Sequence, residues 1–385
     1  MINQEKSAIY SVFCEVSACC PTAVAVISET GAVSYEELTK QVEIYSGQLA
    51  ELGVKPGDAV GVMLEKSARY LAVYLAICNL DAVFVPLDTQ APTERTRYMI
   101  QDAGLALLVS SDPEIHSDLF SVSCSDLADE SYLIELKGNC KNYASGGYII
   151  YTSGSTGQPK GVLVANQALY AHLEQISARF SLSVDDVLLH VNAFTFDAAL
   201  ELLWLGLLHG SCLHLKQVSQ LSVPEFYRYT ITHRITVTDV PPAYLMLLLE
   251  GANADSYWAN SNLHTVVVGG DVLPRQVIER WQQLALFGRC RLYNAYGPTE
   301  AVISASYHEL SAADLQVTSV AIGKVVEPRF YKVVAVDGFA AHEGELHLGG
   351  SCLAVGYINK PEQTEAAFYH DAQGRWYRTG DIVTQ

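Results

Sequence analysis

The chain has 385 residues, half of them hydrophobic and 17% charged, which is enough apolar material for a substantial core and too much length for one minimal domain. Its 24 basic and 42 acidic residues leave a formal net charge of −18, which argues against a generic electrostatic attraction to nucleic acid or to an anionic membrane. The opening MINQEKSAIY lacks a basic stretch followed by an apolar run, and no later segment approaches the roughly 18 uninterrupted apolar residues of a membrane span, so a soluble, cytoplasmic protein is expected.

In chain order, strand-like apolar runs alternate with helical periods, the rhythm of parallel sheets covered by helices. A strand over Ala59–Leu64 is followed by a helix through Tyr70–Asn79, a strand at Val83–Pro86, a helix over Thr93–Ala103 and a strand near Leu107. A second series begins near Tyr148 and places strands around Val187, Cys212, Val237, Val266 and Leu292, with helices between them. From about Val320 the helical period fades into short strand signals with glycines, as in GELHLGG, which predicts a small β-rich lobe over residues 320–385. The fold class expected is α/β. Nine cysteines are scattered without a CxxC spacing and read as reduced thiols. The histidines His172, His190, His209, His214, His264 and His308 show no two-ligand spacing, and no zinc site is assigned.

The densest chemical signal follows the strand Tyr148–Tyr151, which runs straight into Thr152-Ser-Gly-Ser-Thr-Gly-Gln-Pro-Lys-Gly161. Glycines let backbone N–H groups turn inward around an anion, the hydroxyls of Thr152, Ser153, Ser155 and Thr156 add donors, and Lys160 supplies positive charge. A polyphosphate is the natural ligand. The common nucleotide-triphosphatase loop, GxxxxGK(S/T), demands Gly where Pro159 stands and Ser or Thr where Gly161 stands, so an ordinary ATPase of that class is disfavoured.

TSGSTGQPKG resembles the signature of the acyl-adenylate superfamily, which includes acyl-CoA synthetases, luciferases and peptide-synthetase adenylation domains. Asn294-Ala-Tyr-Gly-Pro-Thr-Glu300, Gly344–Gly350 continuing to Gly356-Tyr357, and Tyr377-Arg-Thr-Gly-Asp381 fall in that family's order. Ser34–Leu38 and Ala82–Asp88 resemble its early motifs. The resemblance covers essentially the whole chain, and within the superfamily it points to an amino-acid adenylation domain of a nonribosomal peptide synthetase. It implies the large N-terminal core of that fold over residues 1–385, built of two helix-covered, mostly parallel sheets plus the β-rich lobe. RTGDIVTQ stops where the family continues into a hinge and a small C-terminal domain carrying a catalytic lysine, so the fragment is expected to bind MgATP and amino acid but to form adenylate poorly.

The resemblance also implies roles. The loop residues Thr152, Ser153, Gly154, Ser155, Thr156, Gly157 and Lys160 would hold the β and γ phosphates and stabilise the leaving pyrophosphate. Glu300 would hold Mg²⁺ and Thr299 touch the α-phosphate, while Tyr296 would lie against adenine beside Gly270, Asn294 and Ala295, and Asp381 would accept both ribose hydroxyls. Asp197, after Phe196, would hold the substrate ammonium, and Ala198, Glu201, Asp239, Val267, Gly269, Ala295, Ile303 and Ser304 would line the amino-acid pocket. With Glu201 four residues after Asp197 and Asp239 a further acid, the pocket predicts a basic substrate, arginine or else lysine or ornithine. The implied partner is a peptidyl carrier protein with neighbouring synthetase domains, and ATP and Mg²⁺ are the implied cofactors. Two alternatives stand beside this reading: an acyl- or aryl-CoA ligase, which has no ammonium to bind, and a nucleotide-binding scaffold without turnover.

Overall fold

Central strands of the chain are apolar along their whole length, and Ala59–Met63, Val83–Pro86 and Leu107–Ser110 are buried at every residue. Such runs belong to sheets covered on both faces, and a computed structural model places them so. The structure describes residues 8–112, 124–126, 132–135, 140–153, 158–284, 286, 288–316, 319–335 and 342–384. A nine-stranded sheet runs in the order 324–325, 306–309, 291–296, 265–269, 237–240, 187–190, 212–215, 24–28, 31–34, parallel at its centre and antiparallel at its edges. An eight-stranded sheet runs 356–357, 160–165, 147–152, 83–86, 59–63, 107–110, 132–135, 124–126. The expected mixed α/β architecture is therefore present, with strands at each position anticipated from the apolar runs.

Helices fill the space between these sheets. Ala68–Asn79 touches strands of the eight-stranded sheet on one side and Val24–Ser28 of the nine-stranded sheet on the other. That double contact explains why it is apolar all round, with ten of its residues buried. Ala198–Leu208 is equally apolar, and Trp204 within it donates to the buried Tyr74 hydroxyl at 2.8 Å. Local signals set the helix ends as well. Ser34 caps Tyr35–Glu51 by accepting from the Glu37 amide at 3.2 Å while the Glu37 carboxylate accepts from the Ser34 amide at 2.8 Å, a reciprocal pair that satisfies two otherwise open donors of the first turn.

The segment after Val320 divides among three sheets. Lys324–Val325 edges the nine-stranded sheet, Gly356–Tyr357 pairs with Lys160–Ala165 of the eight-stranded sheet, and Arg329–Val334, Glu343–Gly350, Phe368–Asp371 and Gly374–Thr384 form an antiparallel sheet of four. The excursion of Gly356–Tyr357 carries the Tyr357 side chain to the phosphate-loop strand.

Candidate active site

Strand Val187–His190 has Cys212–Leu215 on one side and Val237–Val240 on the other, so successive connections leave it in opposite directions. That reversal opens a crevice at the carboxyl ends of the parallel strands, where ligands of α/β sheets bind. A partly open cavity lies there. Phe196, Asp197, Ala198, Glu201, Asp239, Val267, Gly269, Ala295, Ile303 and Ser304, the residues expected to surround an amino acid, all line it. Register brings them together: Asp239 lies opposite Val267, and Gly269 opposite Ala295. A side chain at Gly269 would press on the Ala295 carbonyl, so glycine keeps these strands close and the cavity open.

The acids of the cavity differ in how they are paired. Asp197 precedes the helix Ala198–Leu208, and its Oδ2 is buried with no hydrogen-bond partner among the described residues. Burial raises its carboxyl to about 6, against the lowering influence of the neighbouring Thr299 hydroxyl. Asp239 accepts from the Asn192 amide through Oδ2 and leaves Oδ1 buried and partnerless among the described residues. Burial raises Asp239 to about 7, against the nearby Lys66 ammonium, which burial in turn lowers to about 7. Lys66 is held in place by three backbone carbonyls, of His190 at 3.0 Å and of Asn192 and Lys216 at 2.7 Å. Glu201, by contrast, has both oxygens occupied: Oε2 faces His172 Nε2 at 2.8 Å, and Oε1 accepts from the Tyr307 hydroxyl. Of the two acids expected to read a basic side chain, Asp239 is thus the one with an oxygen left for a ligand.

On the nucleotide side, Thr152 and Lys160 are cross-strand neighbours at the two ends of the phosphate loop. Gly154, Ser155, Thr156 and Gly157 lie outside the described residues, and Ser153 is exposed at the loop's entry. The Thr152 hydroxyl is buried without a partner among the described residues. Lys160 Nζ donates to Glu300 Oε1 at 3.1 Å and to the Tyr357 hydroxyl at 3.0 Å, and that hydroxyl donates to the same Glu300 oxygen at 2.6 Å. Glu300 is only 5% exposed, so this pairing offsets a desolvation cost on the order of several kcal/mol. Tyr296 donates to Asp381 Oδ2 at 2.5 Å, which joins the end of the strand Arg291–Tyr296 to the four-stranded sheet. Asn294 turns its amide to the Ala321 carbonyl at 2.9 Å, and Gly270, with φ of +84°, lines the cavity mouth.

A short turn joins the two sides. Thr299–Ala301 forms one 3₁₀ turn, after which Val302 and Ile303 have φ of +62° and +63°. Left-handed backbone at two consecutive β-branched residues costs about 1–3 kcal/mol each. A side chain at Gly297 would collide with the Ile303 carbonyl, so the strand end and the turn pack backbone to backbone. Buried Arg329 crosses beneath, donating from Nε to the Ala301 carbonyl at 3.1 Å and from Nη2 to the Val302 carbonyl at 2.8 Å.

Several of these residues carried little signal in the chain. Tyr357 ends a recognised motif, and its role at Glu300 was open to inference. Asn192 and Lys66 stand in ordinary loop sequence, Arg329 in a strand, and His172, read as a core or surface imidazole, in a helix; only their neighbours in space reveal them.

The AMP-binding enzyme family model matches residues 13–358, and the chain belongs to that family. It is 32% identical over 371 residues to bacitracin synthase 2 of Bacillus licheniformis, an alignment covering 94% of this chain and 14% of that protein. It is 34% identical over 371 residues to a probable non-canonical nonribosomal peptide synthetase, CymA, of Salinispora arenicola, covering 94% and 4%. The chain therefore spans a small fraction of the length of these curated relatives. Among solved structures, the N-terminal subdomain of Klebsiella oxytoca NpsA in complex with 3-hydroxybenzoyl-AMSN superposes with a TM-score of 0.82 at 25% identity, covering 98% of this chain and 97% of that one. The AMPPNP-bound nonribosomal peptide synthetase FmoA3 gives 0.84 at 25% identity, covering 99% and 42%. The fold is that of the large N-terminal core of such adenylation domains.

Proposed function

We propose that this core binds MgATP and an amino acid in the sites where an adenylation domain joins them as an aminoacyl-AMP with release of pyrophosphate, for loading onto a peptidyl carrier protein of a nonribosomal peptide synthetase. The observation that carries the reading is that Asp197 and Asp239 line one cavity and each has a buried carboxylate oxygen, Oδ2 and Oδ1 respectively, without a hydrogen-bond partner among the described residues. Buried carboxylates without partners are costly, and a ligand with two cationic groups offsets both. An α-ammonium on Asp197 leaves the α-carboxylate near Thr299, where an oxygen attacks the α-phosphorus. Asp239 then meets the end of a basic side chain. Arginine fits best, since a planar guanidinium forks onto a carboxylate in a way a point-charge ammonium does not. An aryl acid, such as the acyl group of the ligand in the Klebsiella structure, has no cation for Asp197.

The nucleotide residues support the other half of the reaction. Thr152 and Lys160 stand where donors to the leaving pyrophosphate are needed, and Tyr296 with Asp381 presents an aromatic face and an acceptor for adenosine. Among the described residues no three His, Cys, Asp or Glu side chains gather to hold a metal. A Mg²⁺ ion would rest on the Glu300 carboxylate, with phosphate and water oxygens completing its shell. Such an ion would supply neutralisation of phosphate charge, and Lys160, now paired with Glu300, would be a donor to phosphate oxygens. Calorimetry of L-arginyl-sulfamoyladenosine, which joins both halves in one stable molecule, tests the reading against leucyl, glutamyl and 3-hydroxybenzoyl analogues. Tightest binding by the arginyl compound is expected. Preference for the leucyl, glutamyl or hydroxybenzoyl compound would overturn it.

A further inference from the structure

Glu201 lines the amino-acid cavity, but its bonds point the other way. The guanidinium of Arg329 can only donate hydrogen bonds, so His172 Nδ1, 3.0 Å from Arg329 Nη2, must accept. The proton of this imidazole therefore sits on Nε2 and is donated to Glu201 Oε2 at 2.8 Å. Burial and the neighbouring guanidinium both hold His172 below its ordinary pKa, which keeps it neutral in this tautomer. The Tyr307 hydroxyl donates to the other Glu201 oxygen. Arg329 closes the circuit on the carbonyls of Ala301 and Val302. All four side chains are buried, none more than 6% exposed.

Through Arg329 the circuit reaches the left-handed turn at Val302 and Ile303. Thr299 and Glu300 of the nucleotide side stand before that turn in the 3₁₀ segment Thr299–Ala301, and Ile303 within it and Ser304 after it belong to the amino-acid wall. A turn with two unfavourable backbone conformations persists only where its surroundings over-determine it. Arg329 supplies two donors to it, and the negative charge that balances Arg329 is Glu201, reached through a neutral imidazole.

Resting on the adenylating reading above, we infer that Glu201, His172 and Arg329 form a buried clamp that holds the 301–304 turn and so sets Glu300 and the Ile303–Ser304 wall together. Glu201 is then a positioning residue, and side-chain selection falls to Asp239. The two assignments differ in what a single substitution does. A Glu201 that reads the substrate affects the amino acid alone; a Glu201 that anchors the clamp affects MgATP as well.

The test is calorimetric titration of the 385-residue chain with MgATP, with ATP in EDTA, and with L-arginine, for wild type, E201Q, R329M and the double variant. Each single variant is expected to lose about tenfold in affinity for MgATP and for arginine and little for ATP without magnesium; the double variant should lose no more than the worse single, as for residues of one network. R329K, whose single ammonium cannot reach both carbonyls and the imidazole, should recover less than half of the loss on a logarithmic scale. It also carries the test if R329M does not fold. An E201Q chain that keeps wild-type MgATP affinity while shifting preference from arginine to glutamine or leucine overturns the clamp, as do losses that multiply in the double variant. Wild-type binding of MgATP without arginine overturns the substrate reading alone, and the clamp is then judged on MgATP.

Discussion

The two sides of this cleft treat buried charge in opposite ways. On the nucleotide side, Lys160, Tyr357 and Glu300 satisfy one another, and Tyr296 and Asp381 do the same across two sheets. On the amino-acid side, Asp197 and Asp239 each keep an oxygen without a partner among the described residues, and burial raises both above the usual carboxylate range. A site whose groups pair internally tolerates an absent ligand and exchanges partners when it arrives. A site that leaves carboxylates open is unfavourable when empty and selects strongly for what fills it.

The sharpest way to break this contrast is Asp197→Ala, which removes the acceptor for the α-ammonium. Arginine affinity should fall by about a hundredfold or more, with MgATP affinity within about threefold of wild type in calorimetric titration. Asp239→Asn follows: an expected loss of about ten- to a hundredfold for arginine and none for leucine, read in a competition assay against the two free amino acids. On the paired side, Lys160→Ala should weaken MgATP by about tenfold, since it loses phosphate contacts but also leaves Glu300 without its cation; Glu300→Gln should weaken ATP only when magnesium is present. Unchanged affinity in both variants would mean that the loop is assigned wrongly.

A pH titration sharpens the comparison further. The two acids hold a cation only as carboxylates, and their free values are about 6 and about 7, so the proton competes with the ligand below that window. Arginine affinity should be greatest near about pH 7.5–8, where both acids are ionised and the α-ammonium is retained, and fall at least about tenfold per unit below pH 6. Lys66, itself near 7, gains charge on the same descent and adds repulsion. The smallest expected effect is that of Tyr296→Phe, which removes one hydrogen bond to Asp381 at a partly exposed site and should change MgATP affinity by no more than about threefold.

Much of this was legible in the chain because its signals are local. The strand at Ala59–Met63, the helix at Thr93–Ala103 and the loop after Tyr151 each follow from residues adjacent to one another: apolar period, glycine placement, hydroxyls and a lysine in ten positions. The pocket residues were legible through resemblance, and strand register then explains why Asp239, Val267, Gly269 and Ala295 share a wall.

The chain by itself determined the α/β class, the order of strands and helices, the phosphate loop and the acids available to a substrate. Only the tertiary structure decided which acids are free. Glu201 and Asp239 look alike as acidic residues in apolar surroundings, yet Glu201 is occupied by His172 and by Tyr307, the latter 106 positions away, and His172 by Arg329, 157 positions away. The same distance separates Lys160 from its meaning, since its partners Glu300 and Tyr357 lie 140 and 197 positions along the chain. Periodicity and motif spacing record what the backbone does over one or two turns; the pairing of buried charges depends on which distant elements the two sheets bring within 3 Å, and no local pattern carries that.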